Sequence, residues 1–461
     1  MSKQNPDNST QAKNINRRGF IRYSAAAGAG LLLSPALSRA VIQQTQPINT
    51  AIIGVGRQGK ILLDLLIKIP NVKMKAICDI WKYSQLIGER RCKSYNHIVT
   101  VYEDYKEMLA KEKELEAVVI ATPDFVHHEM TNACLRADLH VYCEKEMSND
   151  IEKARSMVQT AKQTGKLLQI GHQRRSNPYY IHAHRLMHKD RVFGDINSIN
   201  GQWNQQKQIR PFPPRLASKY PIAPALLKKW GFTSMSDFYY WRWFNKFAGG
   251  PMADLGSHQV DIFNWFLEAP PASVYAIGGL GYALTEAKAN NVGFTPECLD
   301  HTLALYEWKT KQGTVRGYYQ VNLTTSYNGF YEVFMGKKGS MVISEILAKH
   351  AMFKERSAAT LEWEDEAEKL EIGGEQAMLF DPLKSRKAKG KMDKEGLKIE
   401  QDLDKPAHQP HLENFFAAIR DGVPLNCPAE VGFETCVSVL KTNESAVTGK
   451  KITFNSQDFV A

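Results

Sequence analysis

The sequence predicts an α/β protein of two domains, the first built on a parallel sheet and the second on an open, mainly antiparallel sheet. Three observations support this fold class. The chain has 461 residues, more than one hydrophobic core usually supports. Residues 50–172 alternate short apolar runs with helical periodicity. After Ile196 the runs become longer, alternate in polarity and are rich in aromatic residues.

In the first domain, short apolar runs predict buried parallel strands, and helical stretches separate them. The predicted strands are Thr50–Val55, Val72–Asp79, Ala117–Ala121, His140–Cys143 and Leu167–Gly171. The predicted helices are Lys60–Ile69, Tyr105–Lys113, His127–Arg136 and Ile151–Gly165. Pro123 opens the third of these helices, because its fixed φ suits a first helical turn.

The second domain begins with alternating strands, which predict one apolar and one polar sheet face. These strands are Ile196–Asn204, Val274–Gly279, Thr302–Trp308, Thr314–Leu323, Tyr331–Met335 and Ser340–Ile343. An insertion rich in Pro and aromatic residues, 207–247, separates the first two strands. A charged stretch, 348–405, predicts an irregular, solvent-exposed excursion. Two amphipathic helices follow, His411–Asp421 and Ala429–Thr448.

Residues 1–40 have the three parts of an export signal in order. Arg17-Arg18 precedes the short apolar run Ala25–Leu33, and Ser38-Arg39-Ala40 forms a cleavage site of small residues. A twin arginine in this position predicts export in the folded state, cleavage after Ala40 and a periplasmic protein. The apolar run is too short to span a bilayer, so we expect no stable membrane anchor.

Composition and charge narrow the class of partner. Hydrophobic residues make up 43% and charged residues 23% of the chain, as in soluble globular proteins. The formal charge of +10 falls to +5 once residues 1–40, which hold six basic side chains and one acidic one, are removed. This charge predicts no nucleic-acid partner. The seven cysteines form no CxxC pair and no zinc-type spacing, so we expect no metal centre and at least one free thiol.

A glycine-rich turn follows the first predicted strand. The sequence Gly54-Val55-Gly56-Arg57-Gln58-Gly59 joins that strand to a helix, so its backbone N–H groups can approach a pyrophosphate at the helix N-terminus. Asp79 ends the next strand, where a carboxylate accepts a hydrogen bond from an adenosine ribose and repels a 2′-phosphate. Together these features predict a Rossmann domain, residues 41–172, that binds NAD.

Two further segments carry acid–base groups. Lys145 ends the strand that would flank the nicotinamide, where an ammonium group can polarise a reacting oxygen. Asp254 and His258 are four residues apart, so a helix that opens after Pro251 would place them on one face. A solvent-facing Lys–Glu pair and a surface Asp–His pair are the structural alternatives.

These motifs resemble the glucose–fructose oxidoreductase/inositol dehydrogenase/MocA family over about residues 50–450. The resemblance rests on the glycine turn, on Ala121-Thr122-Pro123-Asp124 with His127, on Glu144-Lys145, and on Gly249-Gly250-x-x-x-Asp254-x-x-x-His258. It implies a second domain, 173–461, that binds substrate and supports homo-oligomerisation through its open sheet. It also implies that Thr122, Pro123, His127, Glu144 and Lys145 contact the cofactor.

The family resemblance implies a catalytic role for Lys145, Asp254 and His258. His258 would accept the hydroxyl proton, Asp254 would orient the substrate or His258, and Lys145 would polarise the reacting oxygen. The family usually has proline after this lysine, whereas this chain has Glu146. We therefore expect Lys145 to lie in a less constrained turn, with an added charge beside it.

Four more residues are candidates for contact with substrate. His172 and Arg174 follow the last strand of the first domain, although both residue types equally suit hydrogen bonds between domains. Trp241 and Arg242 lie just before Gly249-Gly250, so this part of the insertion would reach the pocket. Core packing is the alternative for about half of the aromatic rings of the insertion.

Taken together, the motifs predict an exported NAD-dependent oxidoreductase that acts on a secondary hydroxyl or keto group of a sugar, cyclic polyol or glycoside. Because the periplasm supplies no soluble NAD pool, we expect the cofactor to be held tightly. Two alternatives remain open: an NAD-dependent, redox-neutral glycosidase and a non-catalytic dinucleotide or sugar sensor. Lys145 argues against the first alternative, and the complete set of Lys145, Asp254 and His258 argues against the second.

Overall fold

The computed structural model describes residues 46–361, 363–379 and 402–461, of which the residues from Ile48 onward belong to one compact unit. The twin-arginine segment, with its cleavage position after Ala40, and part of the charged excursion lie outside the described residues. Within the described ranges, no helix combines the length and the apolar composition that crossing a membrane requires. The seven cysteines all fall in these ranges and are buried free thiols.

The first domain is a six-stranded parallel sheet in the order β3-β2-β1-β4-β5-β6. Its strands are β1 Ile48–Ile53, β2 Val72–Cys78, β3 Thr100–Tyr102, β4 Ala117–Ile120, β5 His140–Cys143 and β6 Leu168–Ile170. Its helices are α1 Arg57–Leu66, α2 Lys82–Ser94, α3 Tyr105–Lys111, α4 Asp124–Arg136 and α5 Ile151–Thr164. The strand order reverses between β1 and β4, and a crevice at such a switch point is where Rossmann folds bind dinucleotides.

Two elements of this domain were absent from the sequence-based prediction, for different reasons. Strand β3 has three residues, too few to show a periodic pattern. Helix α2 has no apolar stripe, because its buried residues are Ser84, Gln85, Gly88 and Cys92. Periodicity finds elements that bury apolar side chains and misses those that do not.

The second domain is a ten-stranded sheet in the order β14-β15-β13-β12-β11-β7-β10-β9-β8-β16. Its central strands are β7 Ile196–Asn204, β8 Pro271–Gly279, β9 His301–Thr310, β10 Gly313–Asn322, β11 Phe330–Gly336 and β12 Gly339–Ile343. Neighbouring strands run antiparallel except β7 and β10, which pair in parallel from Ser198–Arg316 to Asn204–Asn322. The α/β fold class with a mainly antiparallel second sheet is therefore confirmed.

The prediction of an irregular excursion over residues 348–405 is wrong for its described part. Three short strands extend the sheet there, β13 Ala351–Lys354, β14 Lys369–Ile372 and β15 Glu375–Met378, and β16 Ile452–Thr453 forms the opposite edge. Met352 and Ala377 are buried while many of their neighbours are charged and exposed. Strands of four residues with a charged outer face resemble loops in composition, so the pattern hid them.

The insertion folds into three short helices that pack on the first domain. They are α7 Pro214–Lys219, α8 Pro224–Lys229 and α9 Met235–Tyr239, followed by a 3₁₀ turn at Trp241–Trp243. Trp81, just after β2, donates its indole N–H to the Tyr220 carbonyl at 2.7 Å. The ring of Phe125, on α4, lies 4.9 Å from that of Phe247. The insertion therefore covers the carboxyl ends of two central strands.

The remaining α-helices of the described chain belong to the second domain. They are α6 Pro178–His188, α10 Ser257–Leu267, α11 Tyr282–Ala289, α12 Gln409–Asp421 and α13 Ala429–Thr448. Gly432 of α13 passes so close to β6 that a Cβ there would lie 2.6 Å from the Ile170 side chain. This close approach fixes the sheet of the first domain against the helical layer of the second.

Candidate active site between the two domains

The glycine turn joins β1 to α1 and leaves its backbone open to a ligand. Gly54 has φ +89°, and a Cβ at this residue would lie 2.6 Å from the Ala121 carbonyl oxygen. Gly56, by contrast, has open space where its Cβ would be. Among the described residues, no side chain caps α1 and its first turn contains no acid. The N–H groups of this turn are therefore available to an anion.

Asp79 fastens the end of β2 to the glycine turn. Its carboxylate accepts hydrogen bonds from the backbone N–H of Val55 at 2.7 Å and of Trp81 at 2.8 Å. Burial raises the pKa of Asp79 to about 6, and these two N–H groups oppose that shift. A carboxylate has about four lone-pair positions. Because only two of these positions accept backbone hydrogen bonds, Asp79 can still accept one from a hydroxyl group of a ligand.

The loops after β4 and β5 lie side by side and are joined by His127. Its Nδ1 is 2.8 Å from the Glu146 carbonyl oxygen, and its Nε2 is 2.8 Å from the Thr122 carbonyl oxygen. Burial lowers the pKa of His127 to about 4, so the neutral ring donates to one of these carbonyls at a time. The ring of His127 thus hydrogen-bonds to the backbone of both loops. Its contact with the cofactor stays a prediction, as do those of Thr122 and Pro123, which directly precede α4.

The expectation of a loosely held, additionally charged turn at Glu146 is wrong. The Glu146 side chain is buried, and its Oε1 accepts the Met147 N–H at 2.7 Å. Burial raises the pKa of Glu146 to about 8, so the carboxyl group is mostly protonated at neutral pH. The buried Glu146 side chain and the hydrogen bond between His127 and the Glu146 carbonyl oxygen together constrain the turn that carries Lys145. The peptide bond between Lys145 and Glu146 is cis.

Glu144 links the Lys145 turn to the nucleotide turn. Its carboxylate accepts a hydrogen bond from the Gln58 side chain at 3.1 Å. The same Gln58 nitrogen lies 3.0 Å from Nε2 of His408, which precedes α12. Burial raises the pKa of Glu144. The sequence analysis missed His408, because nothing in its neighbourhood marks it as part of a site.

Lys145 meets Asp254 at the centre of the site. Lys145 Nζ contacts the Asp254 carbonyl oxygen and lies 3.6 Å from Asp254 Oδ1. Arg242 Nε is 3.2 Å from the same Oδ1, and Lys207 Nζ is 2.9 Å from Oδ2. Burial by itself would raise the pKa of Asp254, but Lys207, Arg242 and Lys145 together hold it well below its ordinary value. The surface-pair alternatives for Lys145 and Asp254 are therefore wrong.

Lys207 was missed in the sequence. It follows β7 by three residues and lies in a polar run, Gln205-Gln206-Lys207-Gln208, that has no motif spacing. Only the fold brings it to Asp254.

The predicted helix after Pro251 is present, but Asp254 lies in a π-helical turn of it rather than in α-helix. Residues Met252–Gly256 form a turn of π-helix, and α10 begins at Ser257. No hydrogen bond joins Asp254 to His258 in the described part of the chain, because three cations occupy the Asp254 carboxylate. The His258 ring instead stacks on Trp203, with 5.5 Å between ring centroids and 24° between ring planes.

His258 is a neutral base in a buried position. Within the described ranges its Nδ1 has no hydrogen-bond partner. Burial, and then the charges of Lys145 and Arg174, hold the pKa of His258 well below its ordinary value. A neutral imidazole beside an ammonium group can accept a proton from a hydroxyl that the ammonium group polarises.

His172 faces the same space from the end of β6. It is 1% exposed, and neither ring nitrogen has a hydrogen-bond partner among the residues described. Burial lowers the pKa of His172 to about 4, and Lys145 contributes to that shift. A buried imidazole with two unpaired nitrogens is costly unless a ligand or water satisfies it.

Arg174 and Trp241, two of the predicted substrate contacts, do not face this space. Arg174 is 1% exposed and forms ion pairs with Glu332 and, at 2.9 Å, with Glu345. It is therefore a structural residue of the second domain. Trp241 is buried and supports Arg242, whose guanidinium carbon lies 4.2 Å from the Trp241 ring centroid.

Comparison with known proteins agrees with this architecture. Residues 48–172 match the oxidoreductase family with an NAD-binding Rossmann fold, and residues 228–454 match the C-terminal alpha/beta domain of the same family. The fold and the site define an oxidoreductase of the Rossmann class. Within that class, the chain belongs to the Gfo/Idh/MocA family.

Curated relatives match over part of their length. The uncharacterized oxidoreductase YrbE of Bacillus subtilis is 25% identical over 51% of this chain and 58% of its own. Inositol 2-dehydrogenase of Rubrobacter xylanophilus is 25% identical over 51% of this chain and 56% of its own. A glycosyl hydrolase family 109 protein of Shewanella amazonensis is 27% identical over 32% of this chain and 37% of its own. The chain thus matches a little over half the length of the first two of these relatives.

Solved structures share the fold at low sequence identity. Levoglucosan dehydrogenase in complex with NADH has a TM-score of 0.66 at 16% identity, covering 89% of this chain and 100% of that one. The WlbA dehydrogenase from Bordetella pertussis, in complex with NADH and UDP-GlcNAcA, has a TM-score of 0.63 at 18% identity, covering 89% and 98%.

Proposed function

We propose that this protein is an NAD-dependent oxidoreductase that acts on a secondary hydroxyl or keto group of a sugar, cyclic polyol or glycoside. The observation that carries the proposal is that Lys145 from the first domain contacts Asp254, near the start of the helix that carries His258, and that its charge helps to lower the pKa of His258. An ammonium group and an unprotonated imidazole in one buried space are the pair that alcohol oxidation needs.

The residues of the first domain fit a dinucleotide. The uncapped first turn of α1, with Gly56, Arg57 and Gln58, presents free N–H groups to a pyrophosphate. Asp79 retains lone pairs for a ribose hydroxyl and would repel a 2′-phosphate, which supports NAD over NADP. A bound nicotinamide supplies the hydride-transfer chemistry.

This chain's own residues divide the remaining work. Lys145 polarises the reacting oxygen, and His258 accepts or returns the hydroxyl proton. Asp254 is a positioning residue, because it holds Lys145, Lys207 and Arg242 around one carboxylate. His172, with both ring nitrogens unpaired, is positioned to hydrogen-bond a second hydroxyl of the substrate.

A redox-neutral glycosidase is the second candidate, supported by the similarity to the glycosyl hydrolase family 109 protein. One experiment separates the candidates: the purified protein is mixed with a panel of sugars, cyclic polyols and glycosides, and nicotinamide absorbance and product masses are followed. A dehydrogenase yields a product two mass units lighter or heavier with a net change in absorbance. A glycosidase releases the aglycone without a net change. A sensor binds without turnover, and that result would end the proposal.

We infer that the protein is exported and retains its cofactor. Arg17-Arg18 supports export in the folded state, with cleavage after Ala40. The packing of the insertion on Trp81 and Phe125 supports slow cofactor loss, because both residues lie at strand ends that border the nucleotide crevice. Replacing Arg17 and Arg18 together by lysine is expected to leave uncleaved protein in the cytoplasm. Unchanged export would refute the twin-arginine assignment.

We also propose that the open sheet face pairs with a second copy of the chain. On that face Tyr275, Leu305 and Tyr318 lie directly opposite one another across β8, β9 and β10, and Ile277 lies opposite Leu303. These five side chains are between 38% and 59% exposed. A contiguous apolar patch of this kind marks an interface. Leu305→Lys is expected to convert the oligomer to monomer in light scattering, whereas an unchanged mass would refute the interface.

A further inference from the structure

A second cluster of ligand-type side chains lies away from the active site, where the ends of two helices meet. His184 and His188 are one turn apart on α6, and Glu268 is the residue directly after α10. One ligand atom from each residue lies within 4.8 Å of the other two. His188 Nδ1 and Glu268 Oε1 are 3.8 Å apart. We propose that these three residues bind a divalent transition-metal ion, Zn²⁺ in the first instance.

Each imidazole already has the support that metal-bound histidines require. His188 Nε2 is 2.9 Å from the Phe266 carbonyl oxygen, so this nitrogen donates and Nδ1 carries the lone pair. The backbone of Trp265 hydrogen-bonds to His184, whose ring stacks on the Trp265 indole at 4.9 Å. A backbone acceptor on the second ring nitrogen fixes the tautomer and the orientation of a ligating histidine.

Two charged side chains, one acidic and one basic, set the charge around the cluster. Glu268 is half-exposed and supplies the negative charge. Lys311 competes for that charge, but it is 4.0 Å from Glu268 Oε2 and its side chain is 88% exposed, so it can move into solvent.

The ligand set and the spacing match a three-ligand site. Two imidazoles and one carboxylate, with a fourth position open to water, are a common set for Zn²⁺. Tetrahedral bonds of about 2.1 Å place ligand atoms about 3.4 Å apart, so the widest separation in the cluster, within 4.8 Å, must contract by up to about 1.4 Å. The half-exposed Glu268 side chain can supply that movement. The bound ion would fasten the end of α6 to the end of the helix that carries His258.

The test uses the full-length, untagged chain after treatment with a chelator. Zn²⁺ is added, excess ion is removed by gel filtration, and bound metal is measured by atomic absorption alongside isothermal titration. We expect the wild type to bind one more ion per chain than His188→Ala binds. A rise in Tm on the order of several °C is expected with Zn²⁺ at about 100 times its Kd.

Variants decide whether the ion binds at this cluster. His188→Ala and Glu268→Gln should each lose that ion and the Zn²⁺-dependent rise in Tm while keeping the metal-free Tm near wild type. His128→Ala, a half-buried helical histidine outside the cluster, should keep both. Co²⁺ in the same position should give a visible spectrum that His188→Ala abolishes. The inference is overturned if wild type binds no Zn²⁺, or if the cluster variants bind as much as wild type.

Discussion

Two buried polar clusters, one in the second domain and one between the two domains, differ in how completely their polar groups are paired. In the closed cluster, Arg174 is ion-paired with Glu332 and Glu345, and the Tyr180 hydroxyl donates to Glu332 at 2.8 Å. In the open cluster, Lys145, Lys207, Arg242 and Asp254 are paired, but His258 and His172 retain ring nitrogens that have no hydrogen-bond partner in the described ranges. The two clusters contain similar residue types.

The comparison shows that unpaired hydrogen-bonding groups, rather than charge, distinguish a ligand-binding site from a cluster that only stabilises the fold. A buried polar group without a partner costs free energy, so a fold retains it where a ligand completes the bonding. In the closed cluster, Arg174 faces two carboxylates, so its charge is compensated within the fold. The open cluster has a proton acceptor, an ammonium group and an unpaired imidazole in one space.

The largest expected effect is on turnover in the open cluster. Lys145→Ala and His258→Ala should each lower kcat by about 10²–10⁴-fold, because each removes a group that acts on the transferred proton or the reacting oxygen. The double variant should fall by much less than the product of the single effects, since both serve one transition state. Turnover of a responsive sugar and thermal melting are measured together.

His97→Ala serves as the control for this pair, because His97 lies at the edge of the first sheet and accepts the Met74 N–H. Near-wild-type turnover in His258→Ala would end the catalytic assignment of the open cluster.

The next effect is on stability in the closed cluster. Arg174→Met leaves Glu332, which is fully buried, without its cation, and breaking a buried pair in this way costs about 3–5 kcal/mol. The free energy of unfolding in urea measures this loss. Arg316→Met is the matched control, because its pair with Glu307 is exposed and contributes at most about 1 kcal/mol. Equal losses in the two variants would remove the distinction between the clusters.

A smaller effect concerns cofactor choice. Asp79→Ser removes a carboxylate whose negative charge would repel a 2′-phosphate. The same carboxylate accepts hydrogen bonds from the backbone N–H groups of Val55 and Trp81. The ratio of kcat/KM for NAD over NADP should fall roughly tenfold or more, since hydrogen bonds to charged groups contribute about 1.5–3 kcal/mol. Steady-state kinetics with both cofactors measures the ratio. An unchanged ratio, or NADP(H) bound stoichiometrically to the wild type, would contradict the assignment.

A fourth effect is a pH dependence of stability that arises at Glu146, next to Lys145 of the open cluster. The pKa of Glu146 is raised from an ordinary value of 4.5 to about 8, so between these values the folded state binds more protons than the unfolded state. Its contribution to stability is therefore complete below pH 4.5 and is lost as pH rises toward about 8. Glu146→Gln imitates the protonated form, so its stability advantage over wild type should grow across this window.

The difference in the free energy of unfolding between Glu146→Gln and wild type cannot change by more than about 1.4 kcal/mol per pH unit, because a single proton is involved. Urea unfolding of both proteins at several pH values between 5 and 8 measures it. Parallel stability curves would show that Glu146 titrates normally.

The sequence by itself determined the fold class, the family and the positions of the main motifs. Strong apolar periodicity located β5 and α13 to the residue, because each buries an apolar face whose pattern is local. The glycine turn could also be read locally, since Gly54 needs a positive φ and close backbone contact at fixed spacing. Charged outer faces and short lengths hid β13, β14 and β15.

Only the tertiary structure decided which polar groups meet and which remain unpaired. Lys207 and His408 reach the site across long stretches of chain, so no spacing could identify them. The π-helical turn at Met252–Gly256 separates Asp254 from His258, and burial makes Glu146 neutral. Arg174 and His172 are two residues apart in sequence, yet Arg174 is ion-paired with two carboxylates and the His172 ring has no hydrogen-bond partner among the described residues. Hydrogen-bond satisfaction depends on contacts between distant segments, and that information lies in the packed fold.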